Sequence, residues 1–196
     1  VVLTVAENIS AGALQISYEP STTGGALVED LAGNQITDGF SQFVVSDGYI
    51  RGAKVYLDAN EDGIATPDEL LENVSSDERG QILLEGDNAN AQIIVKGGVN
   101  TDTGAANELE LTAPAGYSVI NPLTTLVEEI QSSSDEDISL EQAESQVLLA
   151  LGINLSEGED LSSYDPLSDV SESALENRIV TTQIATVLAV ASASAS

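Results

Sequence analysis

The sequence predicts an α+β protein in which a mainly antiparallel β-sandwich is followed by a C-terminal helical region. Short segments with β-branched residues and partial alternation recur through residue 118, separated by clusters of glycine, asparagine and aspartate. From residue 119 onwards the apolar residues recur at helical spacing instead. A hydrophobic content of 42% over 196 residues is enough to bury a core despite a large charge.

These patterns divide the chain into three regions, residues 1–45, 46–118 and 119–196. We expect the first to be a partial β segment completed by a neighbour. The second is the β-sandwich, and the third is a helical region packed on it. Alternation or β-branched content marks candidate strands at residues 1–5, 13–18, 40–45, 52–58, 81–85, 92–96 and 108–112.

In the helical region, each helix start is marked by a capping residue followed by proline, or by glutamine three residues later. These patterns occur at Asn121 with Pro122, Ser139 with Gln142 and Asp165 with Pro166, and Gly152 ends the second helix. A last helix runs from about Ser173. We expect its buried stripe to consist of Leu175, Ile179, Val180, Ile184, Val187 and Leu188.

The charge and the missing residue types exclude several functions. Lys and Arg total 5 against 33 Asp and Glu, a net charge of −28, so there is no basic surface for nucleic acid or anionic lipid. No apolar run reaches the roughly 18 residues that a membrane-spanning helix needs. Without His or Cys, the usual zinc sites, Ser-His-Asp triads and thiol nucleophiles are excluded.

The side chains that remain favour a binding or structural role over catalysis. No paired acids stand out for glycoside hydrolysis, and aromatic residues make up only 4% of the chain. We therefore expect the protein not to be an enzyme. Carboxylate, amide and hydroxyl oxygens instead suit hard cations such as Ca²⁺.

Residues 58–69 match the twelve-residue calcium-loop template, with glycine at position 6 and oxygen-bearing side chains at positions 1, 3, 5, 9 and 12. Position 7 contributes its backbone carbonyl. The sequence therefore predicts Ca²⁺ as the cofactor, bound by Asp58, Asn60, Asp62, Ile64, Thr66 and Glu69. A strand, not an amphipathic helix, precedes the loop, so it is not half of an EF-hand pair. The alternative is an acidic turn that closes a hairpin without a metal.

Two short motifs in the first region carry a resemblance. LQISY at residues 14–18 and DLAGN at residues 30–34 resemble the second half of an immunoglobulin-like repeat from very large bacterial surface proteins. The first half of such a repeat does not precede them here. Unpaired strand edges cost free energy, so we expect another chain or domain to cover them.

A second resemblance covers roughly residues 46–190. Its landmarks occur in the order DGYI (47–50), GA (52–53), VYLDANEDG (55–63), DERG (77–80), GG (97–98), DTG (102–104), LTAPAG (111–116), PLTTLV (122–127) and LSSYDPL (161–167). The pattern is similar to calcium-dependent modules of large bacterial adhesins of the RTX-adhesin type. Related strand–calcium-loop–strand pieces occur in Cna B-type surface domains.

The resemblance implies a secreted, calcium-stabilised β-sandwich with a helical extension, located at the cell surface and used in adhesion or biofilms. Its expected partners are other copies of itself or neighbouring adhesin domains. The partial first region favours a fibre subunit assembled by β-strand complementation. The alternative is a calcium-dependent module at an adhesin tip that binds a peptide or glycan. No membrane insertion and no nucleic-acid partner are expected.

Overall fold

The computed structural model describes residues 40–86, 88, 90–133, 138–156, 158–168 and 171–195. The candidate strands at residues 1–5 and 13–18 lie outside the described residues. The β-strands are β1 (Phe40–Val45), β2 (Ile50–Arg51), β3 (Lys54–Asp58), β4 (Leu70–Ser75), β5 (Gln81–Glu85), β6 (Gln92–Lys96), β7 (Val99–Asn100), β8 (Glu110–Ala113) and β9 (Val119–Ile120). The α-helices are α1 (Pro122–Ser133), α2 (Leu140–Leu151) and α3 (Glu172–Ala195).

The described strands form three sheets. One has the order β5-β1-β9, the second pairs β2 with β7, and the third has the order β4-β3-β6-β8. All pairs are antiparallel except β1 with β9. With three helices following the strands, this is the α+β, sandwich-like class that the sequence predicted. β1 comes from the end of the first predicted region. It pairs with β5 on one side and β9 on the other, so these residues share a sheet with strands that follow them in the chain.

A single apolar core joins the sheets to the helices. Alternate residues of β1 and β5 enter it, and four consecutive residues of β6, 92–95, are buried because both faces of this strand are covered. Helix α1 lies against β8, α2 and α3. The largest fully buried side chains are Phe43, Ile50, Ile82, Ile93, Ile94, Leu111, Ile120, Leu123, Leu161, Val45, Val55 and Val95.

Local sequence explains where the first two helices start and stop. The buried Asn121 side chain accepts hydrogen bonds from the backbone N–H groups of Leu123 and Thr124, each at 2.9 Å, so α1 begins at the following proline. Ser139 and Gln142 form the reciprocal capping box of α2. The helix ends at Gly152, which has φ +65°, a left-handed conformation that glycine adopts without steric cost.

Several strands differ from the sequence prediction: β2, β4, β7 and β9 were not predicted, and β3 and β8 each begin two residues later than expected. β8 starts late because the Asn107 side chain accepts from the Leu109 N–H and donates to the carbonyl of Gly97, which fixes a turn. β4 was not predicted, because its burial does not alternate and Asn73 breaks its pattern with φ +67°. The capping pattern at Asp165 predicted a helix start, but the described residues that follow it, 166–168, form a turn and a bend. The next helix in the described part of the chain is α3.

The predicted buried stripe of α3 is wrong for three of its six residues. Leu175, Ile179 and Val187 are 46%, 61% and 61% exposed, whereas the inward face carries Ala174, Asn177, Thr181 and Ala185. The buried face of α3 is therefore rotated about the helix axis relative to the predicted stripe. Asn177 explains this rotation, because its amide donates to the Tyr164 hydroxyl at 2.9 Å and orients the helix. Within the described residues, no helix combines the length and the hydropathy needed to cross a bilayer.

Candidate metal centre

The predicted calcium loop connects two neighbouring strands of the four-stranded sheet. Asp58 is the last residue of β3, and residues 67–69 form a short 3₁₀ turn that leads directly into β4. Asp58 lies opposite Gln92 in the antiparallel ladder between β3 and β6. The loop is therefore anchored at both ends by the sheet, and its first predicted ligand lies at the sheet's end.

Side-chain hydrogen bonds fold the first half of the loop inward. Asp58 Oδ2 accepts from the Gly63 N–H at 2.8 Å, and Asp62 Oδ1 accepts from the Ile64 N–H at 2.9 Å. Asn60 Oδ1 accepts from the Asp62 N–H at 3.3 Å. The chain reverses at Gly63, whose φ of +71° explains why the template requires glycine there. Asp58, Asn60 and Asp62 are thereby brought to one side of a tight turn.

The second half of the loop is organised by its last residue. Glu69 Oε2 accepts from both the backbone N–H and the hydroxyl of Thr66, at 3.0 and 2.9 Å. This contact brings predicted ligand positions 9 and 12 together and directs Glu69 back over the loop. The Ile64 side chain carries no metal-binding atom and is 61% exposed, so this residue can contribute only its backbone carbonyl as a ligand.

One atom of the loop has unmet hydrogen-bonding capacity. Asp58 is only 3% exposed, and its Oδ1 is buried without a hydrogen-bond partner. Leaving a buried charged oxygen unpaired costs more than the roughly 1–3 kcal/mol of a neutral group. Contact with a cation would satisfy this oxygen. The donor set of carboxylates, amide, hydroxyl and carbonyl also suits Ca²⁺, so the residues present fit the ion.

Hydrogen bonds join Asn60, Asp62 and Ile64 into one group and Thr66 and Glu69 into another, whereas Asp58 is bonded to Gly63, which is not a predicted ligand. Within the described residues, no three carboxylates converge as a ready-made metal-ligand group. The fit therefore depends on the mixed donors of the loop and on the orphaned Asp58 oxygen. It does not depend on an acid cluster.

The structure also places near Asp58 two residues that the sequence analysis did not select. Gln92 of β6 is 4% exposed, and its Nε2 is buried without a hydrogen-bond partner. Glu128 of α1 lies with Gln92 and Glu61 around a cavity of about 280 Å³. No short-range motif signals these side chains, because they come from elements far apart in the chain.

Electrostatics at this cavity disfavour an additional negative charge. Burial raises the pKa of Glu128, and the Gln92 amide, which lies near the carboxylate without normal hydrogen-bond geometry, lowers it. The carboxylates of Asp58, Glu129 and Glu61 raise the pKa further. Glu128 therefore experiences the negative charge of the loop directly.

A second oxygen-rich segment, residues 100–104, is organised as a turn. Asn100 Oδ1 accepts from the N–H groups of Asp102 and Thr103, and its amide donates to the Asp47 carbonyl. Its side chain is thus used within the protein. Asp77 likewise accepts from two backbone N–H groups in the turn between β4 and β5.

Comparison with known proteins adds no family to these observations. The chain matches no protein-family model, no curated protein and no solved structure. The fold places the chain in the α+β class, with a sandwich-like arrangement of sheets. The loop between β3 and β4 is the feature on which a functional proposal rests.

Proposed function

We propose that this protein is a non-enzymatic, calcium-stabilised structural and adhesion module that works outside the cell. Ca²⁺ in the loop between β3 and β4 would hold that connection rigid. Copies of the module would join one another or neighbouring adhesin domains in a surface fibre. The resemblance to adhesin modules supports the setting, and the loop supports the metal.

The buried, unpaired Oδ1 of Asp58 is the observation that carries the proposal. An acidic turn without a metal would have its carboxylates exposed or paired with N–H donors, as Asp77 is. Asp58 instead accepts from the Gly63 N–H with one oxygen, while its other oxygen is buried and unpaired. This arrangement is expected where a divalent cation supplies the missing partner.

Assembly by strand addition requires an open sheet edge, and two edges of the described sheets are closed. On β8, the Thr112 N–H donates to Thr125 Oγ1 and the Thr112 carbonyl accepts from Thr124 Oγ1, at 3.0 and 2.8 Å. On β9, the Val119 N–H donates to the Ser162 carbonyl. Helix α1 and the loop after α2 thus cover these edges.

Among the end strands that these contacts do not cover, β5 supports the fibre proposal. β5 exposes Leu83 by 58%, between buried neighbours that enter the core. An exposed apolar residue on an end strand favours pairing with another chain. We therefore propose β5 as the edge at which a neighbouring copy adds its strand.

Thermal melts in calcium and in EGTA test the metal part of the proposal. With Ca²⁺ at a hundredfold excess over its Kd, linkage predicts about 2.7 kcal/mol of stabilisation. For a domain of this size, that corresponds to a rise in Tm of roughly 5–11 °C. Magnesium at the same concentration is the control for ionic strength. Superimposed curves in calcium and EGTA would refute calcium stabilisation.

Light scattering across the same conditions tests the assembly part. We expect larger species in calcium than in EGTA, increasing with protein concentration. A monomer of constant size under all conditions would contradict the fibre.

A second candidate function is the binding of a peptide or glycan, supported by an open cleft of about 410 Å³. Its lining includes Glu144 and Asp160, two acids that would attract a basic group, beside the Tyr117 ring, which is only 3% exposed. The Tyr117 hydroxyl donates to Glu144, which fixes the ring. Peptide and glycan arrays, probed in calcium, separate the two candidates, since a pure building block should bind neither.

A further inference from the structure

The calcium loop, strand β6 and helix α1 meet at one cavity. Its volume is about 280 Å³, and its polar lining includes Glu61 from the loop, Gln92 from β6 and Glu128 from α1. A water molecule occupies roughly 30 Å³ of liquid volume, so the cavity has room for an ion with several waters. Three separate elements thus contribute oxygen-bearing side chains to one space.

Two buried polar atoms beside this cavity lack hydrogen-bond partners. They are Oδ1 of Asp58 and Nε2 of Gln92, on residues that are 3% and 4% exposed. Gln92 lines the cavity, and Asp58 lies directly across the ladder from it, so their side chains lie on the same face of the sheet. The unpaired Asp58 oxygen requires a hydrogen-bond donor or a cation, and the Gln92 amide can present either its nitrogen or its oxygen to the same place.

The charge of the surroundings selects a cation as that ligand. The negative charges of Asp58 and Glu61 act on Glu128, and no Lys or Arg of the described part of the chain lines the cavity. Water alone would satisfy hydrogen bonds but would leave the carboxylates repelling one another. A divalent cation satisfies the oxygens and compensates the charge.

We propose that the calcium site extends beyond its loop, with Gln92 and Glu128 as additional ligands that reach the ion directly or through water. A half-turn of the Gln92 amide exchanges its nearly isosteric nitrogen and oxygen and presents the oxygen. This inference rests on the proposed calcium binding. Its consequence is that the ion ties helix α1 to the β3–β4 connection, so that calcium stiffens the junction between the sandwich and the helices.

The test compares calcium titration and thermal melting of the full chain with those of two variants. Glu128→Gln removes a charge but keeps the size of the side chain, and the neighbouring exposed Glu129→Gln is the matched control. We expect E128Q to weaken calcium binding about tenfold and E129Q to leave it unchanged. In EGTA, we expect E128Q to melt at a higher temperature than the wild type, because a partly buried charge is removed.

A third variant, Gln92→Glu, adds a carboxylate to the cavity and should act in the opposite sense. It should tighten calcium binding and lower the Tm in EGTA. Equal calcium affinity in E128Q and E129Q would overturn the extended site while leaving the loop site intact. A fall in the Tm of E128Q that is the same in calcium and EGTA would also overturn it, as a purely structural role. Failure of the wild type to bind calcium would remove the proposed function itself.

Discussion

The buried carboxylate of Asp58 makes opposite predictions for the calcium-free and calcium-bound protein. The substitution Asp58→Asn keeps an oxygen to accept from the Gly63 N–H, which Asp58 Oδ2 now does at 2.8 Å. It removes the charge on a side chain that is 3% exposed and has one unpaired oxygen. In EGTA the variant should therefore be more stable than the wild type, by about 2 kcal/mol.

In calcium the same variant should lose most of its metal-dependent stability. If its affinity falls a hundredfold, the linkage contribution drops from about 2.7 kcal/mol to about 0.4 kcal/mol. The Tm should thus rise by roughly 4–8 °C in EGTA and respond little to added calcium. Circular dichroism melts in both buffers measure the higher Tm of the variant in EGTA and the loss of its response to calcium.

The control for this prediction is Asp68→Asn. Asp68 is an exposed acid of the same loop that lies outside the predicted ligand set, so its removal changes the net charge equally. Its melts should follow those of the wild type in both buffers. A lower Tm for D58N in EGTA, or the same response from D68N, would refute the argument that Asp58 is held for a cation.

Three further predictions concern the helix start, the sheet edge and alkaline pH. Replacing Asn121 with alanine leaves two backbone N–H groups of α1 without acceptors and should cost about 2–4 kcal/mol in urea unfolding, while N121S, which keeps a short neutral acceptor, should lose less. Leu83→Lys on β5 should abolish calcium-dependent growth in light scattering without lowering the Tm; unchanged growth would exclude β5 as the assembly edge. Burial, followed by the Asp165 carboxylate, raises the pKa of Tyr49 to about 12, and its hydroxyl donates to Asp165 at 3.0 Å. Because the folded pKa exceeds the ordinary value of about 10, stability is lost as the pH rises from about 10 to about 12, and Tyr49→Phe should flatten that loss in urea titrations.

The sequence predicted the features that depend on neighbouring residues. The caps at Asn121 and Ser139 and the glycine that ends α2 all use hydrogen bonds that span a few residues. The loop belongs to the same group, because its hydrogen bonds join residues up to five positions apart. The strands β5 and β6 were likewise confirmed at their predicted positions, since each carries enough apolar residues to indicate burial.

Only the tertiary structure decided which side chains surround the loop and which face of α3 is buried. Gln92 and Glu128 reach the loop through strand pairing and helix packing, which no local pattern records. In α3, leucine and isoleucine define the stronger apolar stripe, yet the hydrogen bond of Asn177 to Tyr164 turns smaller residues inward. A buried polar contact that must be satisfied can outweigh apolar area, because leaving it unmade costs as much as exposing a side chain.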